Sequence, residues 1–176
     1  MRDARRILVY GVTGSGKSTL AARIAEGRGL PYHSVDDEIG WLPKWTERPP
    51  DEQIRLADEI TASPGWVLDT AYGAWRPIVL ERVELVVALD YRRWVSLGRL
   101  LRRTTSRLVT RTPVCNGNVE NARQILSTDS IIAWHFRSFR RKRERIRGWE
   151  ADPSFPPMVR LTSPKSTERW LTEFTS

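Results

Sequence analysis

Eight consecutive residues, Gly11-Val12-Thr13-Gly14-Ser15-Gly16-Lys17-Ser18, follow the spacing G-x-x-x-x-G-K-S. Glycines at these intervals let the backbone curl until successive N–H groups point inward, which makes a nest for phosphate oxygens. A helix starting at the lysine would add the positive end of its dipole. Lys17 then has the reach for terminal phosphates, and the Ser18 hydroxyl is a ligand for Mg²⁺ bound to them. The candidate nucleotide contacts are Gly11, Thr13, Gly14, Ser15, Gly16, Lys17, Ser18 and Thr19. The chemistry implied is capture of ATP with Mg²⁺. A glycine-rich turn between strand and helix would have the same composition, so the flanking elements decide between the two.

Ile7-Leu8-Val9-Tyr10 predicts a buried parallel strand, and Thr19 to Glu26 has the apolar spacing of a helix, with Gly27 and Gly29 suited to its C-cap. Strand, loop and helix are in register, which sets the accidental turn aside. Leu30 to Val35 predicts a weak second strand ending at Asp36-Asp37. Ligands of open parallel sheets gather at the carboxyl ends of strands, so Asp36 reads as a functional acid, while Asp37 serves equally well as a helix cap. Gly40 to Pro50 is an aromatic, proline-stiffened loop whose Trp41 and Trp45 fit either a cover over a second substrate or a small satellite core. A helix follows from Asp51 and ends at Ser63-Pro64-Gly65.

Trp66-Val67-Leu68 predicts a third strand closing on Asp69, and Leu85 to Leu89 a fourth closing on Asp90. The two acids compete for the role of carboxylate beside the metal at Ser18. The longer apolar run favours Asp90, but strand order decides, and pattern does not give it. Arg92 opens a long amphipathic helix carrying Arg99, Arg102, Arg103 and Arg107. The helical pattern breaks over Thr110 to Asn118, an exposed excursion suited to a lid spanning about 103–121. Glu120 restarts a helix, with Asn118 as its cap, and the pattern runs on with a break near Ser127–Asp129 to the basic end Arg137–Arg143. Pro156 to Leu161 reads as a last strand, and Ser166 to Phe174 as a terminal helix. The alternation predicts one domain of 176 residues with about five parallel strands between two helical layers.

An apolar fraction of 40% is ordinary, no run approaches a membrane span, and the charged N-terminus lacks a signal-peptide core. A single cysteine, Cys115, excludes an internal disulfide framework and points to the cytoplasm. The net charge of +8 is uneven. From Arg92 to Arg147 there are 15 Lys/Arg against 3 Asp/Glu, a local +12, while the remainder carries 14 against 18, or −4. Such a block fits a solvated helical surface, a nucleic-acid patch, or arginines around phosphoryl groups.

With the phosphate-binding loop, Asp36, Trp66–Asp69, the arginine-rich helix and Asn116-Gly117-Asn118 with Glu120 in place, the chain resembles small P-loop kinases. It is similar over nearly its whole length to the adenylate-kinase-like group, which includes proteins labelled DNA topology modulation proteins. The resemblance implies a three-layer α/β/α sandwich around a parallel five-stranded sheet in the order 2-3-1-4-5. Strand three then lies beside strand one, which favours Asp69 with Ser18 for Mg²⁺ and leaves Asp90 a cap or structural acid. It further implies Asp36 facing the acceptor, Arg103, Arg107 and Arg111 in the lid, and the Ser163-Pro164-Lys165 loop framing adenine, with Pro164 against the ring. Lys17, Asp36, Arg107 and Arg111 form the expected catalytic set. Nucleoside monophosphate kinases often continue strand three as Asp-Gly-Phe-Pro-Arg; here the arginine is displaced to Arg76.

The activity so implied is Mg²⁺-dependent phosphoryl transfer from ATP to a small nucleotide-like or other hydroxyl or phosphate compound. The alternative is an ATP-binding regulatory or nucleic-acid-associated protein whose basic block contacts phosphate backbones. Both basic helices are interrupted by core-facing apolar residues, and no separate DNA-reading module is present in the pattern, so a small-molecule partner is favoured over nucleic acid.

Overall fold

The run Arg6–Gly11, apolar from Ile7 to Val9 and buried from Ile7 onward, forms β1 at the centre of a parallel sheet. The computed structural model describes residues 1, 3–110, 116–118 and 130–176. The other strands are β2 (Tyr32–His33), β3 (Trp41–Leu42), β4 (Thr46–Glu47), β5 (Trp66–Leu68), β6 (Leu85–Leu89) and β7 (Met158–Leu161). Five of them form the sheet in the order β2-β5-β1-β6-β7, every neighbouring pair parallel. Counted among sheet strands alone, this is the arrangement 2-3-1-4-5; the labels differ because β3 and β4 intervene as a separate antiparallel hairpin.

Side-chain alternation along each strand divides the core in two. Ile7, Val9, Val67, Val87 and Leu89 pack with Leu20 and Ile24 of α1 (Lys17–Arg28) and with Leu171 and Phe174 of α6 (Pro164–Thr175). On the other face, Leu8, Tyr10, Leu68, Val86 and Ala88 meet Ala57 of α2 (Pro50–Thr61), Val79 of α3 (Arg76–Arg82) and Ile146 of α5 (Ile131–Ala151). The remaining helix, α4 (Arg93–Thr110), lies against α5. No helix among the described residues is long and apolar enough to cross a membrane.

Two local expectations change, and Asn118 gains contacts that its pattern did not announce. The Gly40–Pro50 stretch holds the β3–β4 hairpin, turned by Lys44 and Trp45 at φ 64° and 56°. Asp36–Gly40 makes one wide π-type turn in place of a capped helix, and the Ser34 hydroxyl donates to Asp37. Asn118 acts on the hairpin: its Nδ2 donates to the Leu42 carbonyl at 3.1 Å and its Oδ1 accepts from the Trp45 amide at 2.7 Å. Asn116 Nδ2 reaches the Asp37 and Trp41 carbonyls at 2.5 and 2.6 Å. Arg111, Cys115, Glu120 and the helix expected to restart at Glu120 lie outside the described residues, and with them the middle of the expected lid. Residues 103–110 are the last turns of α4. α5 begins at Ile131, just after the break expected near Ser127–Asp129, where the Ser130 hydroxyl accepts from the Ala133 amide at 3.2 Å.

Candidate active site

β1 ends at Gly11, the chain turns through Val12–Gly16, and α1 begins at Lys17, so the loop amides and the helix N-terminus converge at one end of the sheet. Gly14 and Gly16 hold φ of 79° and 92°, the left-handed region that side chains disfavour. A Cβ on Gly14 would lie 2.3 Å from the Ser96 carbonyl oxygen, so α4 presses directly on the loop. The Ser96 hydroxyl is in turn 2.9 Å from His135 Nε2, joining α4 to α5 behind this contact. Ser15 Oγ donates to the Val12 carbonyl at 2.8 Å, and Arg99 Nη1 to the Ser15 carbonyl at 3.1 Å. Lys17 Nζ rests on the same Val12 carbonyl at 3.2 Å. Withdrawal from water lowers the Lys17 pKa, Asp69 and Asp36 pull it back up, and Arg103 adds to the depression.

Both candidate acids end strands that flank β1, so adjacency does not choose between them; the face of the sheet does. Leu68 belongs to the α3–α5 face, so the next residue, Asp69, turns to the α1 face. There it is 3% exposed, accepts from the Tyr32 hydroxyl at 3.2 Å and the Val35 amide at 3.1 Å, and lines the same cleft as Ser18. Burial raises its pKa, partly offset by these donors. Leu89 lies on the α1 face, so Asp90 turns the other way, into Arg143 and Arg147 of α5 and Arg160 of β7.

Thr13 to Thr19 line a cleft of about 1780 Å³. Pro164 and Thr167 of α6 close one side, Arg103 and Arg107 of α4 another, and Asp36, Trp41, Trp45 and Tyr72 the far end. Asp36 accepts a hydrogen bond from the Tyr72 hydroxyl. Gly11 lies behind the loop, where a Cβ would meet the Leu89 carbonyl at 2.9 Å. The structure therefore gathers the expected residues on one cleft, except Gly11 behind the loop and Arg111 outside the described residues.

Sequence reasoning missed several cleft residues. Arg141, Lys142 and Arg145 of α5 line it, whereas Arg143 and Arg147 of the same helix face Asp90. The i, i+4 pairs 141/145 and 143/147 were visible as two stripes, but the rotation of α5 decides which stripe meets the cleft. Lys142 Nζ donates to the Gly11 carbonyl at 3.4 Å, and burial, with Lys17 as the next cause, pushes its pKa down to about 7. Part of the local +12 is answered within the fold: Arg143 and Arg147 meet Asp90, Arg93 lies over the Phe139 ring at 4.5 Å, and Arg140 pairs with Glu144 at the surface.

The donor set around Ser18 and Asp69 is hard oxygen, the kind Mg²⁺ takes with only one or two protein ligands. The glycine-opened loop fits phosphate as its partner.

No protein-family model matches the chain. Over 110 residues it is 28% identical to a cytidylate kinase from Aeropyrum pernix, a match covering 54% of this chain and 63% of that protein's length. Among solved structures it is similar to a shikimate kinase from Bacteroides thetaiotaomicron, with TM-score 0.59 and 14% identity over 97% of this chain and 96% of that one. A sugar kinase from Janibacter sp. HTCC2649 gives 0.53 and 19% over 96% and 92%. A gluconokinase from Sinorhizobium meliloti 1021 gives 0.52 and 18% over 97% and 93%. The fold is that of the P-loop kinases.

Proposed function

We propose that the chain is a single-domain ATP-dependent kinase that transfers a phosphoryl group to a small acceptor held in the same cleft as the donor. The observation that carries this reading is that one cleft is lined by Lys17 and Ser18 of the loop, by Asp69, and by Asp36, which accepts from the Tyr72 hydroxyl. A metal carboxylate and a second acid thus bracket the loop lysine.

In this reading the loop amides hold the donor phosphates, and Lys17 leaves the Val12 carbonyl for a phosphate oxygen. Ser18 and Asp69 would hold Mg²⁺, which would supply positive charge against that of the donor phosphates. Pro164, at the start of α6, frames the adenine. Asp36, steadied by Tyr72, orients the acceptor hydroxyl and takes its proton as the oxygen bonds to the γ-phosphorus. The bond to the bridging oxygen breaks, and ADP leaves. Arg103 and Arg107, with Arg111, spread positive charge over the transferred group, and closure of the lid over about 103–121 keeps water out.

Labelled ATP incubated with nucleoside monophosphates, sugars, sugar acids and oligonucleotides tests this. Transfer to a small molecule is expected, with Lys17→Ala abolishing both transfer and calorimetric Mg²⁺-ATP binding. Undiminished ATP affinity in that variant would sink the assignment of the loop. Steeply salt-dependent oligonucleotide binding without small-molecule transfer would support the nucleic-acid-associated alternative.

A further inference from the structure

Behind the phosphate loop, α4 and α5 meet through a buried polar pair. Ser96 of α4 and His135 of α5 are both 0% exposed, and the imidazole lies against the Phe136 and Phe139 rings, 5.8 and 5.5 Å between centres. Ser96 Oγ stands 2.9 Å from His135 Nε2 and 3.1 Å from the Arg93 carbonyl oxygen. His135 Nδ1 is buried and has no hydrogen-bond partner among the described residues. On the loop side, the Ser96 carbonyl oxygen and the Leu100 Cβ would lie 2.3 and 2.9 Å from a Cβ on Gly14. Arg99, on the adjoining turn of α4, donates to the Ser15 carbonyl at 3.1 Å. Ser96 thus touches the loop with its backbone and α5 with its side chain.

These contacts select one tautomer. A serine hydroxyl has a single proton to give. The bond to the Arg93 carbonyl uses it, so an N–H on Nε2 completes the contact with Ser96, and Nδ1 is left as a bare lone pair. The reverse assignment gives up the Arg93 bond and buries an Nδ1–H donor with nothing to receive it. Protonation is worse still: it adds the same orphaned donor together with a charge. Burial first, then Arg93 of α4 and Lys142 of α5, hold the His135 pKa below its ordinary 6.5. Lys142, pushed to about 7, carries its charge below that pH, so both neighbours are cations over the range in which an imidazole ionises.

We infer that Ser96 and His135 are a positioning pair for the donor site, in which the neutral imidazole holds α4 where its backbone seats Gly14 and Arg99 meets Ser15. That the loop takes the donor rests on the kinase reading above; the pairing and its tautomer rest on the geometry alone. The loop amides converge on phosphates only while the loop keeps its curl, and α4 supports that curl from outside at Gly14, where φ is 79°. Breaking the hydroxyl–imidazole bond frees α4 without deleting any atom that touches the loop. A proton on His135 has the same effect, because it places a third positive charge beside Arg93 and Lys142. Donor capture therefore weakens as the imidazole becomes charged.

Nuclear magnetic resonance and calorimetry on the full chain test this. Long-range proton–nitrogen spectra, with His33 the one other histidine, should show His135 neutral at neutral pH, its proton on Nε2, and charged only below 6.5. His135→Gln puts an amide N–H where Nε2–H stood and should keep the wild-type affinity for ADP-Mg²⁺. His135→Asn reaches only as far as Nδ1, and Ser96→Ala removes the acceptor; each should weaken ADP-Mg²⁺ about three- to tenfold. The double variant should lose no more than either single one, since both break the same bond. As pH falls below 6.5, wild-type affinity should drop more steeply than that of His135→Gln, which has no proton to take up. A merely structural histidine would lower melting temperatures and leave ADP affinity and its pH profile unmoved. An Nδ1–H tautomer, undiminished affinity in Ser96→Ala, or parallel pH profiles for wild type and His135→Gln overturns the positioning pair alone, and these readouts decide the matter even where His135→Asn does not fold. A wild type that fails to bind ADP-Mg²⁺ overturns the kinase reading instead.

Discussion

Asp69→Asn and Asp90→Asn make the same small change at the ends of two strands that flank β1, and the two variants should fail in opposite ways. At Asp69 the partners tolerate an amide: the retained oxygen still accepts from the Val35 N–H, and the Tyr32 hydroxyl can turn to accept from the new NH₂. Burial raises the Asp69 pKa, so its contribution to stability is greatest at low pH and is lost as pH rises through the folded value. At neutral pH the ionised carboxylate is an expense that Asn removes, and the variant should melt at the wild-type temperature or above. Its loss falls on the metal. Removing a metal ligand or its hydrogen-bonded support costs about 10–100-fold, or ~1.4–2.7 kcal/mol. Calorimetric affinity for ATP at limiting Mg²⁺ should drop by that factor. Asp90 is different: its side chain is 0% exposed, with Arg160 at 3.1 Å and Arg147 at 3.8 Å besides Arg143. Unpairing a fully buried charge costs about 3–5 kcal/mol, but these arginines are 28–58% exposed, and screening reduces the expectation to about 2–3 kcal/mol. The melting temperature should therefore fall by roughly 4–12 °C with Mg²⁺-ATP affinity unchanged. Scanning calorimetry and ATP titration of the same preparations read both quantities. A D90N protein that loses Mg²⁺-dependent affinity beside a D69N protein that keeps it would refute the assignment by sheet face.

Gly14→Ala forces a Cβ to 2.3 Å from the Ser96 carbonyl at φ 79°, so ~1–3 kcal/mol of strain and weaker ATP binding are expected; unchanged melting and affinity would show that α4 does not press on the loop. Asn118→Ala removes two hydrogen bonds to the hairpin at ~1 kcal/mol each, and hydrogen exchange at the Trp45 amide should quicken; an unaltered rate would refute the docking. Lys142, faced by Lys17, Asp36, Arg76 and Arg145, is pushed from 10.5 down to about 7. A lysine depressed by folding makes the protein gain stability as pH rises from about 7 toward 10.5. Melting curves on either side of pH 7 measure the trend, and Lys142→Gln should flatten it.

Local chemistry in the chain carried the donor side of the cleft. The glycine spacing of Gly11–Ser18, the apolar run before it and the helical run after it are short-range features, and short-range features survive folding unaltered. The same holds for the Gly29 cap, which sits at φ 60° at the end of α1. The acceptor side was less legible because its residues come from β2, the β3–β4 hairpin, α3 and α5, far apart in sequence. Asn118 bonds a hairpin 73 positions away, a contact that no local pattern announces.

By itself, then, the sequence determined that a glycine-opened loop stands between a strand and a helix at one end of a parallel sheet, with Ser18, Lys17 and a strand-end acid about it. Which acid it is, and which α5 cations meet the cleft, depended on two rotations that only packing sets. Strand alternation turns Asp69 and Asp90 to opposite faces, and burial of Ile146 fixes α5 so that Arg143 meets Asp90 while Arg145 meets Tyr10. A difference of two residues on a helix is about half a turn, so compensated and uncompensated charge can alternate along one basic run.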